Sequence, residues 1–203
     1  MQNIENNENN QIVKNIDEIE TAENKEEFYE ITPEEFERSA FRLIGKEWML
    51  ITAPDEEKES GLNAMTASWG GLGVLWNVPV ATIYVRPQRH TYSLVEKSDR
   101  LSLCFLGDGH RKNLALCGSK SGRDTDKLLE CGLSSETVDG VGIILESEAV
   151  MICKKLYADD LKDEKFIDRS HLSHYDGDFH RFYILEIEKI LVKNKEDKNE
   201  YLL

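Results

Sequence analysis

The sequence predicts a mainly β protein: an antiparallel barrel interrupted by a few short helices. Two observations carry that reading. Several medium-length apolar and β-branched runs recur along the chain, such as Val80 to Val85 and Leu101 to Leu106. The helical patterns between them are too few to supply the crossovers that a doubly wound parallel sheet needs after most strands. With 203 residues, 40% of them hydrophobic, the chain is long enough for one domain with a real core.

In chain order, residues 1–27 are rich in Asn and Glu and read as an acidic tail, with Ile12, Val13, Ile16 and Ile19 leaving a short docked helix as the alternative. The folded domain is expected over 28–192, followed by a charged end at 193–203. Thr32-Pro33-Glu34-Glu35 has the form of a capping box with proline in the first turn. Phe36, Ala40, Leu43 and Ile44 then follow at helical spacing, so a helix is expected there, ended by Gly45. Trp48 to Ala53 reads as a strand and Pro54 to Gly61 as a charged turn. Tyr92 to Lys97 fits a short helix. Leu114 to Gly118 and Leu128 to Gly132 read as helix ends closed by glycine, with Asp124 as a cap for the second. Val141 to Leu145, Ala149 to Leu156 and Phe182 to Val192 read as strands, and Asp159 to His174 as a polar connection.

Charge and cysteine content narrow the functional classes. A formal net charge of −14 opposes broad binding to nucleic acid or to an anionic membrane face, though a local cationic cluster can still hold a small anion. No apolar run approaches the ~20 residues of a membrane span. The N-terminus carries no secretory pattern, so a cytoplasmic location is expected. The four cysteines lack metal-ligand spacing and read as free thiols, Cys104 and Cys153 in apolar strands, Cys117 and Cys131 at helix ends with local exposure. No GxGxxG or Walker A pattern is present; GGLG at Gly70 to Gly73 is not a dinucleotide fingerprint.

The informative stretch is Asn63 to Tyr92. Its first part, Met65, Thr66, Ala67, Ser68 and Trp69, is mostly small and hydroxyl-bearing, which lets backbone N–H groups approach a flat ligand. Its strand at Val80 to Val85 ends in Arg86, Arg89 and Thr91, suited to a phosphate.

Together, NAMTASW, RPQRHT, SGRDTDK and GDFHRFYILEI in this order resemble the flavin reductase-like proteins of the FMN-binding split-barrel superfamily, close to the flavoredoxin type. The resemblance covers roughly Phe36 to Val192. It implies an antiparallel split β-barrel that forms a homodimer and binds FMN non-covalently. Met65 to Trp69 would lie along the flavin ring, and Arg86, Arg89 and Thr91 near the phosphate and ribityl chain. Ser121, Gly122, Arg123, Asp124 and Lys127 would form a second clamp. Family histidines near the nicotinamide side match His180, although Phe179 separates it from Asp178 where the family pattern has them adjacent.

Plainer readings stand beside these. Arg86 and Arg89 would serve equally as a solvated strand end, Arg123 and Lys127 as helix surface charges, and Thr66 and Ser68 as an ordinary strand face. Trp76 reads as core, and Trp69 as either core or ligand wall. His171 and His174 lack acidic or thiol partners at metal-ligand spacing, so no metal is expected. The leading function is an oxidoreductase whose FMN is reduced by NADH or NADPH and passes electrons to free flavin or another acceptor. The alternative is an FMN carrier or store without efficient NAD(P)H turnover. An oligonucleotide-binding barrel is disfavoured, because no strand interleaves basic and aromatic residues.

Overall fold

The computed structural model describes residues 28–193; the terminal segments read above, 1–27 and, apart from Lys193, 193–203, lie outside the described residues. Eight strands form one antiparallel sheet. They are β1 (Phe28–Ile31), β2 (Met49–Pro54), β3 (Leu62–Ala67), β4 (Gly70–Leu75), β5 (Val78–Val85), β6 (Arg100–Phe105), β9 (Ala149–Asp160) and β10 (Arg181–Lys193). A separate hairpin pairs β7 (Ser135–Val138) with β8 (Val141–Ile144). The strand order is β3-β2-β6-β9-β10-β5-β4, with β1 added to β10. The barrel expected from the sequence is therefore present.

The outermost strands of that order, β3 and β4, are consecutive in the chain and joined by only Ser68 and Trp69. A link of two residues spans less than ~11 Å between its flanking strands. The sheet must therefore curl until its two ends stand side by side. They are not hydrogen-bonded to each other, so a seam remains open along β3 and β4.

Strand alternation divides the core in two. The inward face carries Met49, Ile51, Met65, Ile83, Leu103, Met151 and Leu185. The opposite face of β2, β3, β6 and β9 carries Leu50, Ala64, Cys104, Val150 and Ile152, covered by α3 (Arg111–Ser119), α4 (Lys127–Cys131) and β8. Burial on both faces explains why β2 and β6 read as continuous apolar runs rather than alternating ones. The polar side chains in this outer layer are mutually satisfied: Thr52 and Ser102 hydroxyls lie 2.6 Å apart, and Ser102 donates to the Gly142 carbonyl at 2.8 Å.

Several local expectations need correction. The Thr32 capping box forms, but over a single 3-10 turn, Pro33–Glu35. Phe36 leaves helical geometry at φ −82° and ψ 81°, and the chain restarts as α1 (Ala40–Arg42) under a fresh cap from Ser39. Gly45 does not end a helix; it lies inside a π turn at Leu43–Glu47. That turn is held by Glu47, whose carboxylate pairs with Arg38 and Arg42. Asp126, not Asp124, caps α4, accepting from the Leu129 N–H at 3.3 Å. Trp76 is no core residue: with Asn77 it forms the β4–β5 turn, both at positive φ (53° and 62°), and it is exposed. β4 itself escaped the sequence reading because Gly70, Gly71 and Gly73 weaken its strand pattern.

Leu103 is fully buried in the barrel interior, on a strand paired with both β2 and β9. Leu103→Ala is expected to lower the unfolding free energy by about 3 kcal/mol. Urea denaturation measures it; a loss below about 1 kcal/mol would mean the position is not tightly packed.

Candidate functional site

The seam opens into a cleft of about 150 Å³ lined by Met65, Thr66, Ala67, Ser68 and Trp69 on one side, and by Tyr84, Arg86, Arg89 and His180 on the other. Eight residues singled out from the sequence thus meet at one place. β3 has a sheet partner only in β2, so half of its backbone N–H and C=O groups along Met65–Ala67 face away from the sheet. The Thr66 hydroxyl is engaged elsewhere, donating to the Leu114 carbonyl of α3 at 2.5 Å. What β3 offers the cleft at this position is main chain.

The rim near Arg89 is built from α2 (His90–Lys97) and the turn at 121–125. Two contacts, the first part-buried and the second buried, fix the start of α2: His90 Nε2 lies 2.9 Å from Asp55 Oδ2, and Asn63 Nδ2 donates to Thr91 Oγ1 at 2.7 Å. Gly122 packs directly on this pair; a Cβ there would overlap Asn63 Oδ1 and His90 Cδ2. Thr91 is accordingly a buried brace of α2 and does not line the cleft. Ser121 and Asp124 close the turn, the Asp124 N–H donating to the Ser121 carbonyl at 3.2 Å.

Three cations converge on the same region through carbonyl oxygens. Arg89 donates to Gly118 O at 2.9 Å, Lys127 to Cys117 O at 3.3 Å, and Arg123 to Gln88 O at 3.2 Å. The first two satisfy the C-terminal turn of α3, as cations near a helix C-terminus do. None of the three has a carboxylate partner among the described residues. Burial pushes the Lys127 ammonium below its ordinary value, and the neighbouring Arg89 charge pushes it the same way. In a chain of net charge −14, this is a local cationic field without internal neutralisation. Lys127 is buried beneath that field, so it is neither a surface charge nor a lining residue.

Arg86 behaves differently. It reaches the cleft, but its guanidinium pairs with Asp178 at 2.5 Å and donates to His174 O at 2.9 Å. The Asp176 N–H and then Arg86 hold the Asp178 carboxyl down at about 2, so the pair persists at neutral pH. Arg86 therefore ties the 174–178 segment to β5 and is already compensated.

His180 forms the aromatic wall opposite β3. Its ring centroid lies 5.1 Å from that of Trp69, 5.5 Å from Tyr175 and 6.5 Å from Tyr84, and its Nδ1 is 3.1 Å from the Tyr175 hydroxyl. Tyr84 was missed in the sequence although the signal existed: stepping back by two along β5 from Arg86 reaches it. Tyr175 sits in an irregular segment with no period to read. His171 and His174 stack with centroids 6.1 Å apart; among the described residues no three His, Cys, Asp or Glu side chains converge as a metal site.

Burial, reinforced by the Arg86 charge, pushes the His180 imidazole down to about 4. The sign follows: between pH 6.5 and 4 the unfolded chain binds a proton that the folded chain refuses, so His180 contributes stability above pH 6.5 that is lost as pH falls through 4. NMR titration is expected to find His180 with a midpoint near 4; a midpoint near 6.5 would mean a solvated ring.

Comparison with known proteins agrees with this architecture. The family model described as "Flavin reductase like domain" matches residues 41–203. Among solved structures, a flavoredoxin of Desulfovibrio vulgaris (Miyazaki F) superposes with a TM-score of 0.58 at 16% identity, covering 75% of this chain and 72% of its own. An FMN-binding domain of flavin reductases-like enzyme from Shewanella baltica gives 0.57 at 17%, covering 83% and 78%. An FMN-binding protein from Thermus thermophilus with bound p-hydroxybenzaldehyde gives 0.56 at 21%, covering 73% and 72%. No curated protein gives a significant match. The open antiparallel barrel, the cleft at its seam and the family model over most of the chain lead to one assignment: this chain belongs to the flavin reductase-like domain family.

Proposed function

We propose that this protein is an FMN-binding oxidoreductase of the cytoplasm, working as a homodimer. The observation that carries the reading is the meeting of the unpaired edge of β3 with Arg89 in one cleft, beside Arg123 and Lys127, none of the three having a carboxylate partner among the described residues. The donor set fits the group. Main-chain N–H groups at Met65 to Trp69 suit the polar edge of a flavin ring, and Arg89 with Arg123 suits a phosphate of up to two negative charges. Lys127 reinforces the field from below, and Thr91 and Gly122 fix the rim on which Arg89 stands. Arg86, compensated by Asp178, braces the wall instead of meeting the phosphate.

FMN, when bound, supplies the redox chemistry, accepting electrons from NADH or NADPH and yielding them to free flavin or another acceptor. The chain binds and orients. Trp69 and His180 line the cleft that would hold the flavin, and His180 stays neutral at pH 7, so it adds no charge to the cationic field. The same cations give an anionic nicotinamide nucleotide local attraction on an acidic protein. A cleft of about 150 Å³ is smaller than the ~300–1,000 Å³ of pockets that enclose a whole ligand. A second copy closing the seam would complete the enclosure, which supports the homodimer.

The test is a visible spectrum of the purified protein, then anaerobic addition of NADH and NADPH. Flavin bands that bleach rapidly with either nucleotide are expected. Bands that persist with both would replace the reductase by an FMN carrier, and a colourless protein that takes up no added FMN would overturn the reading. Arg89→Ala is expected to weaken FMN binding about tenfold or more, the scale of one charge-assisted hydrogen bond, and to do so more than Lys127→Ala. Fluorescence titration with FMN measures both; an unchanged affinity in Arg89→Ala would remove the phosphate assignment.

A further inference from the structure

Two of the four cysteines touch. Cys117, in α3, and Cys131, the last residue of α4, bring their sulfurs to 3.9 Å. Both are free thiols, and Cys117 is buried rather than exposed as its helix-end position suggested. The other two cysteines make different contacts: Cys104 Sγ lies 3.3 Å from Ser102 Oγ, and Cys153 Sγ lies 3.6 Å from the Met151 carbonyl. A disulfide needs ~2.05 Å between sulfurs, so the pair must close by about 2 Å. Cys131 is only half-buried, which leaves its side chain room to turn, and it is followed by Gly132 in the left-handed region at φ 64°.

The position of the pair is what gives it meaning. Residues 118–130, enclosed by such a bond, contain the turn with Arg123 and the buried Lys127, and α3 presents the carbonyls that anchor Arg89 and Thr66. We propose that Cys117 and Cys131 form a reversible disulfide that staples this rim and slows FMN release. The disulfide stands on sulfur geometry alone; its effect on FMN rests on the function proposed above.

With a small organic disulfide as oxidant, the step balances. The Cys131 thiol gives up its proton and its sulfur attacks one sulfur of the reagent, whose S–S bond breaks. The leaving sulfur takes up a proton as a free thiol. The Cys117 sulfur then attacks Cys131 Sγ, the mixed disulfide breaks, and the second reagent thiol departs with the second proton. Two cysteines are oxidised by two electrons and one reagent disulfide is reduced to two thiols. Burial pushes both thiols up, Cys117 to about 12, so both react slowly, and the half-buried Cys131 is the one a reagent reaches first. A ring closed around the clamp restricts its motion in the free protein, and pre-organisation of this kind slows ligand loss.

The experiment treats the full-length FMN-loaded protein with oxidised glutathione, then counts thiols after denaturation, records intact mass and times FMN release. The expected result is a fall from four thiols to two, a mass lower by two hydrogens with Cys117 and Cys131 in one cross-linked peptide, and FMN release slowed at least threefold. Dithiothreitol should restore the starting rate, and Cys131→Ser and Cys131→Ala should show no oxidative change. Four persisting thiols, or glutathione retained on Cys131, would overturn the disulfide. A disulfide formed without slower release would overturn the staple. The thiol count and mass can be read even if the protein takes up no FMN, so failure of the proposed function is distinguishable from failure of this inference.

Discussion

The architecture depends on the two-residue connection between β3 and β4. Ser68 and Trp69 cannot hold the outer strands of a wide sheet apart, so the sheet closes on itself. Because those strands meet without hydrogen bonding, closure leaves one seam along which the main chain of β3 has no sheet partner. The cleft lies along that seam, and its β3 side is the segment that forces the closure. Main chain that would be a liability on an open sheet edge is confined here to a concave cleft.

A second constraint positions charge against that edge. α2 would be a short surface helix were its first turn not pinned by Asp55 to His90 and by Asn63 to Thr91. Asp55, Asn63 and Thr91 are buried, and leaving a buried polar group unpaired costs roughly 1–3 kcal/mol, so α2 cannot drift without loss. Gly122 has no Cβ because the space belongs to those pairs. The consequence reaches the surface: Arg89, next to the pinned turn, lands on the carbonyl of Gly118, and three cations gather with no carboxylate partner among the described residues.

Much of this was legible in the sequence for identifiable reasons. β5, β6 and β10 announce themselves by β-branched apolar runs, and the Met65–Trp69 and Arg86–Arg89 segments by their composition next to a strand. What stayed hidden depends on contacts distant in sequence. The expected helix after Thr32 fails because Ser39 caps a new start and Glu47 draws Arg38 and Arg42 into a π turn. The engagement of Arg86 by Asp178, the depth of Thr91 and Lys127, and the contact between Cys117 and Cys131 are tertiary facts without a local signature. β4 was invisible because glycine carries little strand preference; pairing with β5 through the Trp76–Asn77 turn makes it a strand.

β10 is the longest strand described, and it is shared. Its first half lies between β9 and β5, and its second half between β9 and β1. It also comes last among the described strands, about a hundred residues after β5. During synthesis, β1 and β5 are therefore made long before their common neighbour exists, and their edges must wait. Long-range pairing of this kind makes closure a late and slow event, with the apolar faces of the earlier strands uncovered until then. The cleft shares that timing, because the strand that bears Tyr84 and runs into Arg86 is held on one side by β10. On the ribosome the cleft cannot be complete before residues 181–193 have emerged.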